Sequence, residues 1–346
     1  MLDNSPDNLS RAALHTIAYA DIFDYPMTAP EIHRYLTDLS APLVAVMRAL
    51  EENRLFTRTG DYFTLPGREE LVSIRIQREA QSRKLMPRAI QYGRILGALP
   101  YVRMVALTGS LAVLNISRDQ DFDYMLITVP GRVWTARAFA LAFNRLTRLK
   151  GNTLCPNLII SENALEWPLH DLYSARELCQ MIVITGQDVH ARLMRANQWI
   201  ESFLPNAFLD SGGLPPKSQK RAPAALQRLI ELPLRGVLGD RLETWEMNRK
   251  IARFTRQRGF GEETIFNADV CQGNFHHHRS WTYAAFEKRL QQYVTPALAT
   301  GASVASDGRD TSVETERSNL TFKEGIASPP LRLRASPSAQ RERGSQ

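Results

Sequence analysis

The sequence predicts an α+β fold, a mixed sheet flanked by helices with a further helical lobe toward the C-terminus, and three observations predict it. The apolar run Val105-Ala106-Leu107 ends in Thr108-Gly109-Ser110, and Asp121-Phe122-Asp123-Tyr124-Met125-Leu126-Ile127 follows as a second strand. The amphipathic stretch Trp134–Leu149, with Ala138, Leu141, Ala142 and Leu146 on one side, separates that strand from a third, Asn157–Ser161. Ahead of them, three helical patterns and a hairpin pattern occupy residues 9–67.

From the N-terminus, Ser10–Asp24 places Ala13, Leu14, Ile17, Ala18 and Ile22 at helical spacing. Tyr25-Pro26 breaks the pattern. Thr28 is a good N-cap for a second helix, with Pro30 early and Glu31 at the third position. Ile32, Tyr35 and Leu36 share one face of Glu31–Leu39. Ser40 is the expected cap of a third helix, with Leu43, Val44, Met47 and Leu50 as its apolar stripe. Leu55–Arg58 and Tyr62–Leu65 read as two short strands around Thr59-Gly60-Asp61. Arg68–Leu99 reads as one long helix carrying Arg75, Arg78, Arg83, Lys84, Arg88 and Arg94. A solvated face is the ordinary role of such a charge run, and a phosphate-attracting face beside Gly109-Ser110 is the functional alternative.

Leu111–Ile116 has the length of about two helical turns, and Ser117–Gln120 is a polar turn. Ser161–Gly186 and Val189–Leu204 read as helical, with Leu172, Ala175, Leu178 and Met181 as a stripe. Ser211–Pro223 is a Gly/Pro/Lys-rich linker. Ala224–Arg258 is helical and basic, with Leu226, Leu229, Ile230, Leu234, Leu238, Leu242 and Trp245 on its apolar side and Arg249, Lys250, Arg253, Arg256 and Arg258 near its end. His276-His277-His278 reads as a polar loop, because adjacent histidines on a regular element cannot all face one ion. The residues after Thr300 hold few apolar side chains and are expected to form a disordered tail. The expected organisation is a first domain at 9–67, a helical connector at 68–99, a sheet domain at 100–206, a helical lobe at 207–298 and a tail at 299–346.

A chain of 346 residues, 44% hydrophobic and 23% charged, is ordinary for a globular protein and long enough for two or three domains. Cys155, Cys179 and Cys271 lie far apart, which argues against a disulfide framework and for a reducing, cytoplasmic setting. The opening MLDNSPDNLS has no apolar core, so no signal peptide is expected, and no apolar run reaches membrane length, so no membrane partner is expected. A net charge of +7 suits a polyanionic ligand without identifying one. P-loop, Rossmann, nucleophile-elbow and HExxH motifs are absent from the sequence.

The chemistry concentrates in Val105–Thr128. Side chains on a strand alternate, so Asp121 and Asp123 share a face while Phe122 points into the core. Two carboxylates side by side repel unless a cation sits between them, and Mg²⁺, which prefers oxygen ligands and accompanies phosphates, is the natural one. Gly109 has no Cβ to keep backbone N–H groups from a phosphate. Leu107-Thr108-Gly109-Ser110, a short helix and Asp121-Phe122-Asp123-Tyr124 together resemble the signature of the DNA polymerase β-like nucleotidyltransferase superfamily.

That resemblance implies a nucleotidyltransferase-like sheet in which Gly109 and Ser110 hold the phosphates of an NTP and Asp121 and Asp123 bind Mg²⁺ and act as the catalytic acids. A nucleoside monophosphate would pass to an acceptor that the sequence does not name. The superfamily's third carboxylate aligns with Asn157, which cannot serve as a base. Glu162 and Asp171 are alternatives nearby, and Arg176 is a candidate for the triphosphate, although an ion pair on its own helix is the commoner role. The N-terminal pattern, with Asp21-Ile22-Phe23-Asp24-Tyr25-Pro26-Met27-Thr28 at its opening, looks like a winged helix. DNA is a conceivable partner for it, but its third helix offers Arg48 and Arg54 against Glu51 and Glu52, with Arg58 in the wing. The alternative function is a nucleotide-binding regulator or adaptor, catalytically impaired and acting through the winged helix.

Overall fold

In the computed structural model, which describes residues 6–117, 121–213, 227, 229, 231–234 and 236–301, the chain opens with helix α1 (Pro6–Asp21). The turn at 118–120, residues 214–223 of the expected linker, the opening of the Ala224 helix and the tail past residue 301 lie outside the described residues, while residues 211–213 of that linker instead end a helix that spans Pro205–Gly213. Strand β1 (Met27–Thr28) leads into α2 (Ala29–Arg34) through a capping box. The Thr28 hydroxyl accepts from Glu31 N–H, and the Glu31 carboxylate accepts from Thr28 N–H at 2.8 Å. Helix α3 (Leu43–Glu52) starts later than expected and without a side-chain cap. Ala41 precedes Pro42 and is therefore disfavoured in helical geometry, and the Ser40 hydroxyl donates instead to Asn206 Oδ1 at 2.9 Å. The face of α3 is also rotated from the expected one. Val46, Ala49 and Leu50 are buried, whereas Leu43, Val44 and Met47 are exposed.

Strands β2 (Thr57–Thr59) and β3 (Tyr62–Thr64) form the expected hairpin, and β1 adds a third strand by pairing Met27 with Phe63. Helix α4 (Leu71–Gly97) then carries the chain to the main sheet. That sheet contains β4 (Val102–Leu107), β5 (Asp121–Thr128), β6 (Thr153–Ser161), β7 (Ile182–Thr185), β8 (Thr264–Phe266) and β9 (Val270–Gly273), in the order β7-β4-β5-β6-β9-β8. Only β5 and β6 are parallel; α6 (Val133–Arg148) supplies the crossover that parallel strands require.

Two strand regions differ from the sequence reading. The stretch expected to be helical up to Gly186 is α7 (Leu172–Gln180) followed by β7, because the β-branched run Ile182-Val183-Ile184-Thr185 pairs with the free edge of β4. The C-terminal lobe is not wholly helical: β8 and β9 extend the sheet beyond β6. Asn267 makes their turn by accepting N–H bonds from Asp269 and Val270, both at 2.8 Å.

The alternation of strand side chains builds two cores. Val105, Leu107, Phe122, Tyr124 and Leu126 pack against α4, α6 and α10 (Val237–Phe254). Met104, Ala106, Met125 and Ile127 face α7, α8 (Gln187–Ala196) and α9 (Pro205–Gly213). This second core runs on into α1, α2 and α3, so the N-terminal helices and the sheet share apolar contacts. The described residues all fall within one compact unit. Among the described residues, no helix is long and apolar enough to cross a membrane; the last of them, α11 (His278–Gly301), packs on α1.

Candidate functional site

Strand β4 ends at Leu107, and the next three residues make a corner against β5. Thr108 N–H donates to the Asp123 carbonyl at 2.9 Å, and Gly109 takes φ +65°, a left-handed conformation that favours glycine. A Cβ at Gly109 would stand 2.5 Å from Asp123 Oδ2. The corner thus needs glycine twice, for its backbone angle and for the carboxylate beside it. Helix α5 (Gly109–Ala112) is a single turn, shorter and earlier than the sequence suggests, because Leu114 at φ +57° ends it. Ser110 is exposed on that turn, and its carbonyl accepts from Asn115 N–H at 2.8 Å.

Basic residues of α4 hold the segment that follows. The Arg75 guanidinium lies 4.1 Å from the Tyr25 ring centroid and bonds Glu31 Oε1 at 2.9 Å and the Leu114 carbonyl at 3.0 Å. Arg78 reaches Asp24 and Asn115 Oδ1, and Ser82 Oγ accepts from Ile116 N–H at 3.1 Å. Arg75 and Arg78 therefore join α4 to the N-terminal helices and brace the corner; they are not a phosphate-attracting face. Arg83 pairs with Glu79, and together with Arg94, Met86, Pro87, Ile90 and Leu114 it lines a cleft of about 460 Å³ alongside.

On β5, Asp121 is exposed, Phe122 is fully buried and Asp123 is half-buried, as alternation requires. Tyr124, one residue on, is anchored to α4 by its hydroxyl, which donates to the Ala89 carbonyl at 2.7 Å. A register shift on β6 leaves Asn157 between the pairs Tyr124–Pro156 and Met125–Leu158. Its Nδ2 donates to Asp123 Oδ1 at 2.6 Å, and its Oδ1 accepts from the Cys155 thiol at 2.6 Å. The aligned position is thus at the site, as an amide.

Electrostatics mark the same spot. Burial, with the nearby Asp121 charge, pushes Asp123 up to about 6 even though the Asn157 hydrogen bond favours the ionised form. The Cys155 thiol is pushed up to about 11 by burial and by Asp123 and Asp121. The same field reaches α7, where burial and then Asp123 push Glu177 up to about 7. Glu177 lies one turn before the end of α7, and Ile182, just beyond that end, pairs with Leu107 at the foot of the corner. Sequence reasoning missed Glu177. The available signal was an acid between Ala175 and Leu178, whose stripe with Leu172 packs on the Asp123 side of the sheet.

The other candidates are elsewhere. Glu162 follows Ser161, which pairs with Thr128 at the far end of β5 from Asp121, and it forms an ion pair with Arg192. Asp171 caps α7 by accepting from Ser174 N–H at 2.8 Å and binds Arg279 at 2.5 Å. Arg176 is buried, with its guanidinium 4.0 Å from the Tyr35 ring centroid and 5.3 Å from that of Tyr19, so it joins α7 to the N-terminal helices and does not face a ligand. His276 and His278 lie at the entry to α11, their rings 5.8 Å apart. Among the described residues, no group of three or more His, Cys, Asp or Glu is gathered closely enough to hold a metal ion. Any cation at the corner would therefore take two protein carboxylates and complete its shell from water or a ligand. No protein-family model, no curated protein and no solved structure matches this chain.

Proposed function

We propose that this protein is a Mg²⁺-dependent nucleotidyltransferase of the DNA polymerase β-like kind, moving a nucleoside monophosphate from an NTP to an acceptor hydroxyl. One observation carries the reading: Asp121 and Asp123 share a strand face, and the bare Cα of Gly109 abuts the Asp123 carboxylate. The donor set fits the cation. Burial, with the Asp121 charge beside it, holds Asp123 well above the usual carboxylate range, and Mg²⁺ accepts a site with two carboxylates completed by substrate phosphates. When bound, the ion neutralises charge on the triphosphate and acidifies the attacking hydroxyl.

The chain's own residues do the rest. Gly109 and Ser110 bring backbone close to the phosphates. Asn157 holds Oδ1 of Asp123 through its amide, which fixes the carboxylate plane and leaves Oδ2 facing the corner. Glu177, electrostatically coupled to Asp123 and near 7, takes the place of the missing strand acid and receives the proton of the acceptor hydroxyl. The N-terminal segment, read as a winged helix, is a protein-docking module in this scheme: Arg58 is tied to Glu51 at 3.1 Å, and α3 turns Leu43, Val44 and Met47 outward.

The test is calorimetric titration of each NTP with and without Mg²⁺, on wild type and on Asp121→Asn/Asp123→Asn, followed by assay of pyrophosphate release. Binding that requires Mg²⁺ and both aspartates supports the site. Such binding with no pyrophosphate release for any acceptor favours the regulator reading, and absence of binding in wild type overturns both.

A further inference from the structure

Helix α10 is turned with two of its three acids inward and its apolar stripe outward. Glu243 is buried and accepts from Trp134 N–H at 2.8 Å, Thr135 N–H at 2.7 Å and the Thr135 hydroxyl at 2.6 Å, which caps the start of α6. Glu246 is buried as well and pairs with Arg249 at 2.5 Å and Lys250 at 3.8 Å. Met247, Ile251 and Phe254 pack into the core on that side. These contacts fix the rotation of the helix.

The opposite side holds the residues that a sequence reading would bury. Leu238 is 65% exposed, Leu242 43% and Trp245 61%, and their spacing of four and three residues puts them in one line. Val237, 68% exposed, begins the same patch. The ionisable groups around it are one-sided. Arg241, Arg249 and Arg253 are exposed, and the Arg249 guanidinium lies 5.1 Å from the Trp245 ring centroid. Of the three acids on the helix two are buried, and the third, the exposed Asp240, pairs with Arg132 at 2.7 Å, which leaves Arg241 and Arg253 without an acid on this helix and Arg249 paired with Glu246. The patch is therefore apolar and cationic.

A second copy docked face to face would set these arginines against one another, so like charge opposes self-pairing. An anionic bilayer surface answers both features at once. Leu and Trp side chains enter the boundary between headgroups and acyl chains, and Arg stems extend along it with their guanidinium groups at the phosphates. We propose that the exposed Leu238, Leu242, Trp245, Arg241, Arg249 and Arg253 face of α10 docks the protein onto an anionic lipid surface, with the helix lying in the plane of that surface. This differs from the sequence expectation of no membrane partner, because lying on a bilayer needs no spanning segment. It is independent of the transferase reading.

The experiment is flotation of the full chain with vesicles of phosphatidylcholine alone or mixed with phosphatidylglycerol, at low and high salt. Wild type is expected to float with the anionic vesicles only, and less at high salt. Leu238→Ser/Leu242→Ser/Trp245→Ser and Arg241→Gln/Arg253→Gln are each expected to lower the bound fraction about ten-fold. All five substituted side chains are exposed, and Arg249, the partner of buried Glu246, is kept, so thermal unfolding of both variants should match wild type, which separates lost docking from lost folding. Failure of wild type to float, or equal flotation of wild type and both variants, overturns the proposal. So does light scattering that shows a dimer which Trp245→Ser dissolves, since the face would then belong to a second copy.

Discussion

The Asn157 amide donates to Asp123 Oδ1 across 2.6 Å, so the strand position where an acid was expected is an amide bound to the acid beside it. The pair is satisfied without a cation. Asn157→Asp removes the donor and sets two carboxylates in contact, which should cost about 1–3 kcal/mol of stability in the absence of metal. Mg²⁺ should restore that loss in the variant and have a smaller effect on wild type. Urea unfolding of both proteins with and without Mg²⁺ measures the difference, and an unchanged Mg²⁺ response in the variant would show that the pair is not a cation site.

Gly109 tests the corner itself. Alanine there is strained at φ +65°, and its methyl would displace the Asp123 carboxylate. Gly109→Ala should lower stability by about 1–3 kcal/mol and abolish Mg²⁺-dependent NTP binding while the fold persists. Calorimetry beside circular dichroism separates these effects. Normal nucleotide affinity in a folded variant would mean that the corner holds no phosphate.

Glu177 gives a pH signature. Its value of about 7 in the folded chain lies above the ordinary 4.5, so the folded state holds the proton more tightly than the unfolded state. Its contribution to stability is fully present below about pH 4.5 and is lost as pH rises through 7. Glu177→Gln removes that dependence. The variant should gain on wild type between pH 5 and pH 8, by about 1–3 kcal/mol at the upper end. Under the proposed chemistry it should also lose pyrophosphate release while keeping NTP affinity. Melting temperatures at the two pH values, with a binding titration, check both statements.

Glu243 is a structural counterpart. Glu243→Ala strands the N–H groups of Trp134 and Thr135 and the Thr135 hydroxyl at the start of α6, and should cost about 2–4 kcal/mol in denaturant unfolding. Trp245, on the other side of the same helix, is exposed, and Trp245→Ala should change stability by less than about 1 kcal/mol. If the two variants were equally destabilised, the rotation of α10 described above would be wrong.

Local pattern and backbone geometry made part of this molecule legible. Thr28 and Glu31 announce their helix because a capping box is completed within four residues. Asp121, Phe122 and Asp123 divide between solvent and core because strand side chains alternate whatever lies around them. The order of strand, Gly109-Ser110, helical turn and strand follows from the same short-range rules, as does the long α4. The sequence by itself determined these elements and the placing of Asp121 with Asp123.

Other features depend on partners distant in the chain, and only the tertiary structure decided them. The run Ile182–Thr185 became a strand because the edge of β4 was free to pair with it, and β8 and β9 joined the sheet through β6. The N-terminal helices and the corner segment claimed Arg75 and Arg78, cations that the sequence reads as a solvated or phosphate-attracting face. Helical periodicity shows that α10 has two faces but not which one is buried. The open N–H groups at the start of α6 drew Glu243 inward and left Leu238, Leu242 and Trp245 outside, because burying a carboxylate that satisfies three donors leaves none of them stranded.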